Sequence, residues 1–162
     1  MPRDRETSAL IKRVHSLFVS RRLTLAVAES CTAGLVSHYV TSLPGASVFF
    51  TGGLITYSAG MKRELLGVSS ETLDRVGAVS EQTAREMAER VRVLCRSDWG
   101  LGTTGNLGPD VLEGKERGLV YIAVASEAGT ITRELLLKGT RYENKHAAAF
   151  SVLRVLVEAV EA

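Results

Sequence analysis

Ser30 ends an apolar run, Leu25-Ala26-Val27-Ala28 followed by Glu29, and leads into Cys31-Thr32-Ala33-Gly34, so small hydroxyl and glycine residues begin where a buried strand should stop. In an α/β protein such a junction gathers backbone N–H groups and the positive end of a helix dipole on whatever binds there, which makes Ser30 a candidate nucleophile. The simpler alternative is that Ser30 or Thr32 only caps the next helix. A serine hydroxyl reacts only when a neighbouring base takes its proton. No histidine is well placed by sequence, so Lys62 is the natural candidate, and serine–lysine pairs are an accepted variant of the triad logic. The competing reading of Lys62 is a solvated charge at the start of a surface helix. Thr56-Tyr57-Ser58 and Thr103-Thr104-Gly105-Asn106 also follow predicted strands, and the three stretches could line one crevice.

The elements that must position these residues follow from apolar periodicity. Leu10, Val14, Leu17 and Phe18 predict an amphipathic helix over Ser8–Arg22, Leu23–Ala28 a strand, and Thr32–Ser42 a short helix. His38 on that helix reads as a partly buried structural residue rather than a base, and His15 as a surface residue. After the turn Leu43–Ser47, a strand is predicted from Val48 to Tyr57, with a bulge or a close backbone approach at Gly52-Gly53. Ser80 caps the next long helix, whose buried stripe is Ala84, Met87, Ala88, Val91, Leu94 and Cys95. Trp99–Thr103 reads as a strand and Thr104–Gly118 as a glycine-rich loop, in which Lys115 and Arg117 could hold a phosphate. Leu119–Ala125 and Ile131–Lys138 suit an antiparallel hairpin. Thr140 and Glu143 form a capping box for a last helix with the stripe His146, Phe150, Leu153, Val157 and Val160. Strands alternating with helices, plus one hairpin, indicate a three-layer α/β/α sandwich with a mixed sheet.

Composition narrows the function classes. The 162 residues are 45% hydrophobic and 23% charged, as in one globular domain spanning residues 1–162 with a real core. Twenty basic against eighteen acidic side chains leave +2, too little to imply nucleic acid or an anionic membrane as a general partner. Neither a signal-peptide pattern nor a membrane-length apolar run is present, so a cytoplasmic protein is expected, with Cys31 and Cys95 as free thiols. Cys95 reads as core, and Cys31, beside Ser30, as core or site. Two cysteines and three scattered histidines form no metal-spaced cluster.

The motifs Ala28-Glu29-Ser30-Cys31-Thr32-Ala33-Gly34, Pro44-Gly45-Ala46-Ser47, Gly52-Gly53 with Thr56-Tyr57-Ser58, Gly77-Ala78-Val79-Ser80, and Thr104-Gly105 with Gly108-Pro109 resemble the C-terminal domain of the CinA family, in order from about Ser8 to Val160. The resemblance implies a three-layer fold with a mostly parallel five-stranded sheet, a homo-oligomer, no metal and no organic cofactor. It also implies a nicotinamide-nucleotide amidase, which hydrolyses nicotinamide mononucleotide to nicotinate mononucleotide and ammonia. Carried over by position, Ser30 is the nucleophile, Lys62 the base and Tyr57 a residue that orients Lys62 or bonds the reacting group. Cys31, Thr32, Ser47, Thr104, Gly105 and Asn106 would meet the substrate, and Arg141 its phosphate. The chain departs from the family at Ala33, where a glycine is usual, at Ala59, at Asn106-Leu107 and at Lys115-Glu116-Arg117. Those departures keep two alternatives open, an amidase with a shifted substrate and a catalytically silent nucleotide-binding or interaction module linked to competence or damage. They also suggest that Asn106→Ile with Leu107→Ala should mainly alter substrate affinity.

Overall fold

The structure is a computed structural model that describes residues 2–162. In chain order the elements are α1 (Pro2–Arg21), β1 (Leu25–Glu29), α2 (Leu35–Thr41), β2 (Phe50–Ile55), the single turn α3 (Ala59–Met61), α4 (Ser70–Val76), α5 (Glu81–Leu94), β3 (Trp99–Gly105), β4 (Leu119–Ser126), β5 (Gly129–Leu136) and α6 (Arg141–Glu161). A 3-10 turn, Ala46–Val48, precedes β2, and a π-helical turn, Lys62–Leu66, continues α3.

One sheet runs in the order β2-β1-β3-β4-β5. β1 pairs parallel with β2 and β3, whereas β3–β4 and β4–β5 are antiparallel, so β4 alone opposes the common strand direction. Every residue of β1 is buried because helices cover both of its faces. Successive side chains of a strand point to opposite faces. Leu25 and Val27 therefore join Val14 and Phe18 of α1, Val36 and Val40 of α2, and Leu153 and Leu156 of α6. Ala26 and Ala28 point the other way, to Met87 and Val91 of α5. On that side the sheet is floored with small residues, and α5 sits almost on the backbone. A Cβ on Gly100 would lie 2.2 Å from the Ala88 carbonyl oxygen, and one on Gly102 2.4 Å from that of Ala84. This is the predicted three-layer sandwich with a mixed sheet.

Several boundaries and placements differ from the sequence expectations. The predicted helix over Thr32–Ser42 starts only at Leu35, because Ala33 (φ 47°) and Gly34 (φ 94°) turn the chain through left-handed conformations first. The irregularity in β2 lies at Thr51, just ahead of Gly52-Gly53, and the close approach is at Gly53, where a Cβ would fall 2.4 Å from Ser37 Oγ. β3 continues through Gly105, pairing with Val120. Helix α4 has no apolar periodicity in the sequence. It carries little apolar surface and is started by Ser69, whose hydroxyl accepts the Thr72 N–H at 3.1 Å. Leu94 is 55% exposed rather than part of the α5 stripe. His15 is half-buried, with a ring nitrogen 2.7 Å from the Val40 carbonyl and its edge on Phe49, while His38 is exposed. The Thr140–Glu143 capping box is present. No helix among the described residues is long and apolar enough to cross a membrane.

Candidate active site

β1 and β2 run side by side and end together, Glu29 beside Ile55. The residues that follow each end, Ser30 and Thr56-Tyr57, are thereby delivered to the same edge of the sheet. Ser58 caps α3 by accepting the Met61 N–H at 3.1 Å, and the chain turns back so that Lys62 opens the π-helical turn facing Ser30. π-turns are rare and gather at functional sites.

Lys62 Nζ lies 2.8 Å from Ser30 Oγ, 2.9 Å from the Thr56 carbonyl oxygen and 3.3 Å from that of Tyr57. Lys62 is 1% exposed and Ser30 6%. Burial disfavours the ammonium and lowers the Lys62 pKa to about 8. The arrangement suits a neutral amine. As an ammonium Lys62 donates to Ser30 Oγ and to both carbonyls, while Ser30 Oγ donates to the Tyr57 carbonyl at 3.5 Å; once neutral, its two remaining N–H bonds match the two carbonyls and the lone pair is left for the proton of Ser30. The Ser30 N–H is held by the Thr103 carbonyl at 3.0 Å, which fixes the serine backbone to β3.

The other residues named from sequence are placed as follows. Tyr57 reaches Lys62 through its carbonyl and not its phenol, which is exposed and accepts from Arg141 Nη2 at 2.8 Å. Arg141 Nη1 also bonds the Gly108 carbonyl. Cys31 packs into the core under the sheet, and burial raises its thiol pKa to about 12, so it stays neutral. Thr32 is wholly buried, donating to Glu29 Oε2 at 2.6 Å and lying 2.7 Å from Thr103 Oγ1. Thr104 donates to the Ala78 carbonyl at 2.6 Å, and Gly105 closes against Val120. Asn106 braces its loop from inside: its amide donates to the Lys115 carbonyl at 3.0 Å and its oxygen accepts the Gly108 N–H at 3.3 Å. Ser47 is not at this edge. It sits exposed in the turn before β2, and the register of β2 on β1 puts that turn at the opposite end of the sheet from Ser30.

Lys115 is likewise taken up by the fold. Its ammonium donates to the Val76 and Val79 carbonyls and to Glu113 Oε2, while Glu113 accepts the Ala78 and Val79 N–H groups. Burial alone would push the Glu113 carboxyl up, but the Lys115 ammonium and these two N–H groups hold it below the usual carboxylate range. Arg117 remains available. With Lys138, Arg141, Leu107, Pro109, Gly139 and Thr140 it lines a cleft of about 330 Å³. Arg141 of this cleft bonds the Tyr57 phenol, and the backbone carbonyl of the same Tyr57 accepts from Lys62. Lys138 has no sequence signal, because it is a lone lysine in the link two residues past the end of β5.

The profile of the CinA C-terminal domain matches residues 7–160. A relative from Desulforudis audaxviator, carrying the provisional name competence-damage inducible protein, is 49% identical over 146 residues, covering 90% of this chain and 35% of the relative. A CinA-like protein of Syntrophus aciditrophicus is 47% identical over 145 residues, covering 88% of this chain and 34% of the relative. The chain thus spans about a third of the length of these curated relatives. Among solved structures, the competence/damage inducible protein CihA from Agrobacterium tumefaciens superposes with a TM-score of 0.92 at 32% identity, covering 97% of this chain and 96% of that one. The competence or damage-inducible protein from Enterobacter asburiae gives 0.92 at 33% identity, with 95% and 98% covered. Sequence and fold agree across nearly all of the chain, which belongs to the CinA family through its C-terminal domain.

Proposed function

We propose that this chain is an amidase that hydrolyses nicotinamide mononucleotide to nicotinate mononucleotide and ammonia. The observation that carries the reading is the buried pair of Ser30 Oγ and Lys62 Nζ at 2.8 Å, with the lysine pKa lowered to about 8. Catalytic lysines work when tuned to about 7–8, so that the neutral base is populated near the operating pH.

Neutral Lys62 takes the Ser30 proton as Oγ bonds to the carboxamide carbon, and the carbonyl π electrons move onto oxygen. Backbone N–H groups that follow Ser30 are the nearest donors for that oxyanion, and each donor in such a hole contributes about 3–4 kcal/mol. Collapse of the tetrahedral species breaks the C–N bond, and the Lys62 ammonium returns its proton to the leaving nitrogen as ammonia departs. Water then attacks the acyl-serine ester. Lys62 accepts the proton of that water and passes it back to Ser30, releasing the carboxylate. The Thr56 and Tyr57 carbonyls hold the two amine N–H bonds throughout, so the lone pair stays on the serine. The substrate phosphate is assigned to the cleft of Arg117, Lys138 and Arg141, because planar guanidinium groups suit phosphate oxygens.

Ammonia release from nicotinamide mononucleotide by the purified protein tests the reading. The expected result is turnover that Ser30→Ala abolishes while the fold persists. Nucleotide binding by calorimetry without ammonia release would replace the amidase with a binding module. Release from another carboxamide only would keep the chemistry and change the substrate.

A further inference from the structure

Glu29 is the last residue of β1, and it is fully buried. Among the described residues no cationic side chain pairs with it; its carboxylate is instead filled by five hydrogen bonds. Oε2 accepts from Thr32 Oγ1 at 2.6 Å, Gly34 N at 3.0 Å and Val36 N at 3.0 Å. Oε1 accepts from Ser37 N at 2.8 Å and Ser37 Oγ at 2.7 Å. A carboxylate without a counter-ion is costly to bury, and a serine or asparagine would suffice to start a seven-residue helix. What the carboxylate does in addition is gather donors from Thr32 to Ser37, across the turn that follows Ser30.

We propose that Glu29 is a positioning residue for the nucleophile, holding the Ser30 turn in its reactive form through Thr32 and Thr103. This inference rests on the serine–lysine reading. The hydroxyl chain has a defined direction. Thr32 has one hydroxyl proton and gives it to the carboxylate, so the 2.7 Å contact with Thr103 requires Thr103 Oγ1 to be the donor. The backbone carbonyl of the same Thr103 holds the Ser30 N–H at 3.0 Å. On the far side, Ala33 at φ 47° and Gly34 at φ 94° adopt left-handed conformations, which the bonds from Gly34 N and Val36 N to the carboxylate keep in place. The N–H groups of Cys31 and Thr32, directly after the nucleophile, are left out of the set that Glu29 binds. In the proposed mechanism these N–H groups are the ones assigned to the oxyanion. An amide in place of the carboxylate offers one acceptor oxygen where two are used, so at least two of the five donors lose their partner and the turn is free to relax.

The test uses Glu29→Gln, Thr32→Val and Ser37→Ala in the full chain, with melting temperature, kcat and KM for nicotinamide mononucleotide, and the rate at which Ser30 is labelled by a sulfonyl fluoride. A displacement of about 1 Å at a reacting group costs on the order of 100-fold in rate. Folded Glu29→Gln is expected to lose about that factor in both kcat and labelling rate, with KM changed by less than about threefold, since the buried carboxylate meets no substrate. Ser37→Ala, which removes a donor on the helix side only, should lower the melting temperature and keep the labelling rate. A folded Glu29→Gln with wild-type kcat and labelling overturns the proposal. So does an equal loss in Ser37→Ala, which would make the effect one of helix stability alone. Should Glu29→Gln not fold, Thr32→Val decides, because it leaves the carboxylate and cuts only its link toward Ser30: slowed labelling supports the proposal and unchanged labelling overturns it. Labelling without ammonia release would sink the substrate assignment and leave this role standing. No labelling of the wild-type serine would remove both.

Discussion

A lysine can take the serine proton only while it is neutral, so in the proposed mechanism the protonation state of Lys62 sets the rate. With its pKa lowered to about 8, activity should climb along a single-proton limb as pH rises through 8, and a log rate plotted against pH gives the midpoint directly. Lys62→Arg keeps the charge and cannot deprotonate, so it should lose nearly all activity; an active arginine variant would remove Lys62 from the role of base. Stability shifts with the same group. The folded pKa lies below the ordinary 10.5, so the native protein gives up this proton before the unfolded chain does, and the penalty of burying the ammonium is complete below pH 8. Stability should therefore gain a positive slope between about pH 8 and 10.5, which Lys62→Met abolishes in melts across that range. A second residue-scale prediction concerns Ala33, whose φ of 47° costs an L-residue about 1 kcal/mol. The greater freedom of glycine in the unfolded chain returns part of that. Ala33→Gly should gain about 0.5 kcal/mol, raising the melting temperature by about 1–2 °C.

The elements differ in how far the sequence exposed them. β1 and its serine were legible because a short, wholly apolar run ending in small hydroxyls has few other readings, and α5 because its cap and stripe agree. Helix α4 was hidden because Leu73 and Val76 are its only apolar positions, so its evidence is the Ser69 cap alone. Ser47 was misplaced by likeness of motif, since a residue at the entrance of β2 cannot reach the exit of β1 when the two strands are parallel and in register. Glu29 lies in the Ala28–Gly34 motif, yet its role depends on donors three to eight residues ahead converging after the turn. The loop from Asn106 to Gly118 shows the same limit with a practical result. Both residues hold the loop together: Asn106 ties it to Lys115 and Gly108, and Leu107, although it forms part of the cleft wall, is 4% exposed and packs within the main core. Leu107→Ala should cost about 2–5 kcal/mol. Asn106→Ile adds about 1–3 kcal/mol for each backbone group it strands. The double variant is thus expected to melt on the order of 10 °C lower or more rather than to switch affinity cleanly, which thermal denaturation will show.

At the scale of the whole molecule, a net charge of +2 conceals an uneven distribution. Arg117, Lys138 and Arg141 meet at one cleft, and Arg141 spans from that cleft to Tyr57, whose carbonyl touches Lys62. A phosphorylated substrate would then be held at one end by these cations while its amide lies at the serine. Arg117→Ala with Lys138→Ala should raise KM for nicotinamide mononucleotide about tenfold or more, leave kcat within a few-fold, and barely affect the corresponding riboside. Equal losses on nucleotide and riboside would move the phosphate away from this cleft.

The glycine and alanine floor beneath α5 restricts how this protein can change over generations. At an ordinary core position a substitution that enlarges one side chain can be answered by a smaller neighbour. At Gly100 and Gly102 no smaller residue exists, and the atoms that a new methyl group would meet are the carbonyl oxygens of Ala88 and Ala84, which no substitution can remove. Accommodation would require α5 to move as a body, carrying Ser80 and the adjoining Ala78-Val79 that bond Thr104 and Glu113. This seam, which ends one residue before the Thr103 that holds the Ser30 N–H, therefore has few mutational exits, and drift should accumulate on the exposed edges of the sandwich instead.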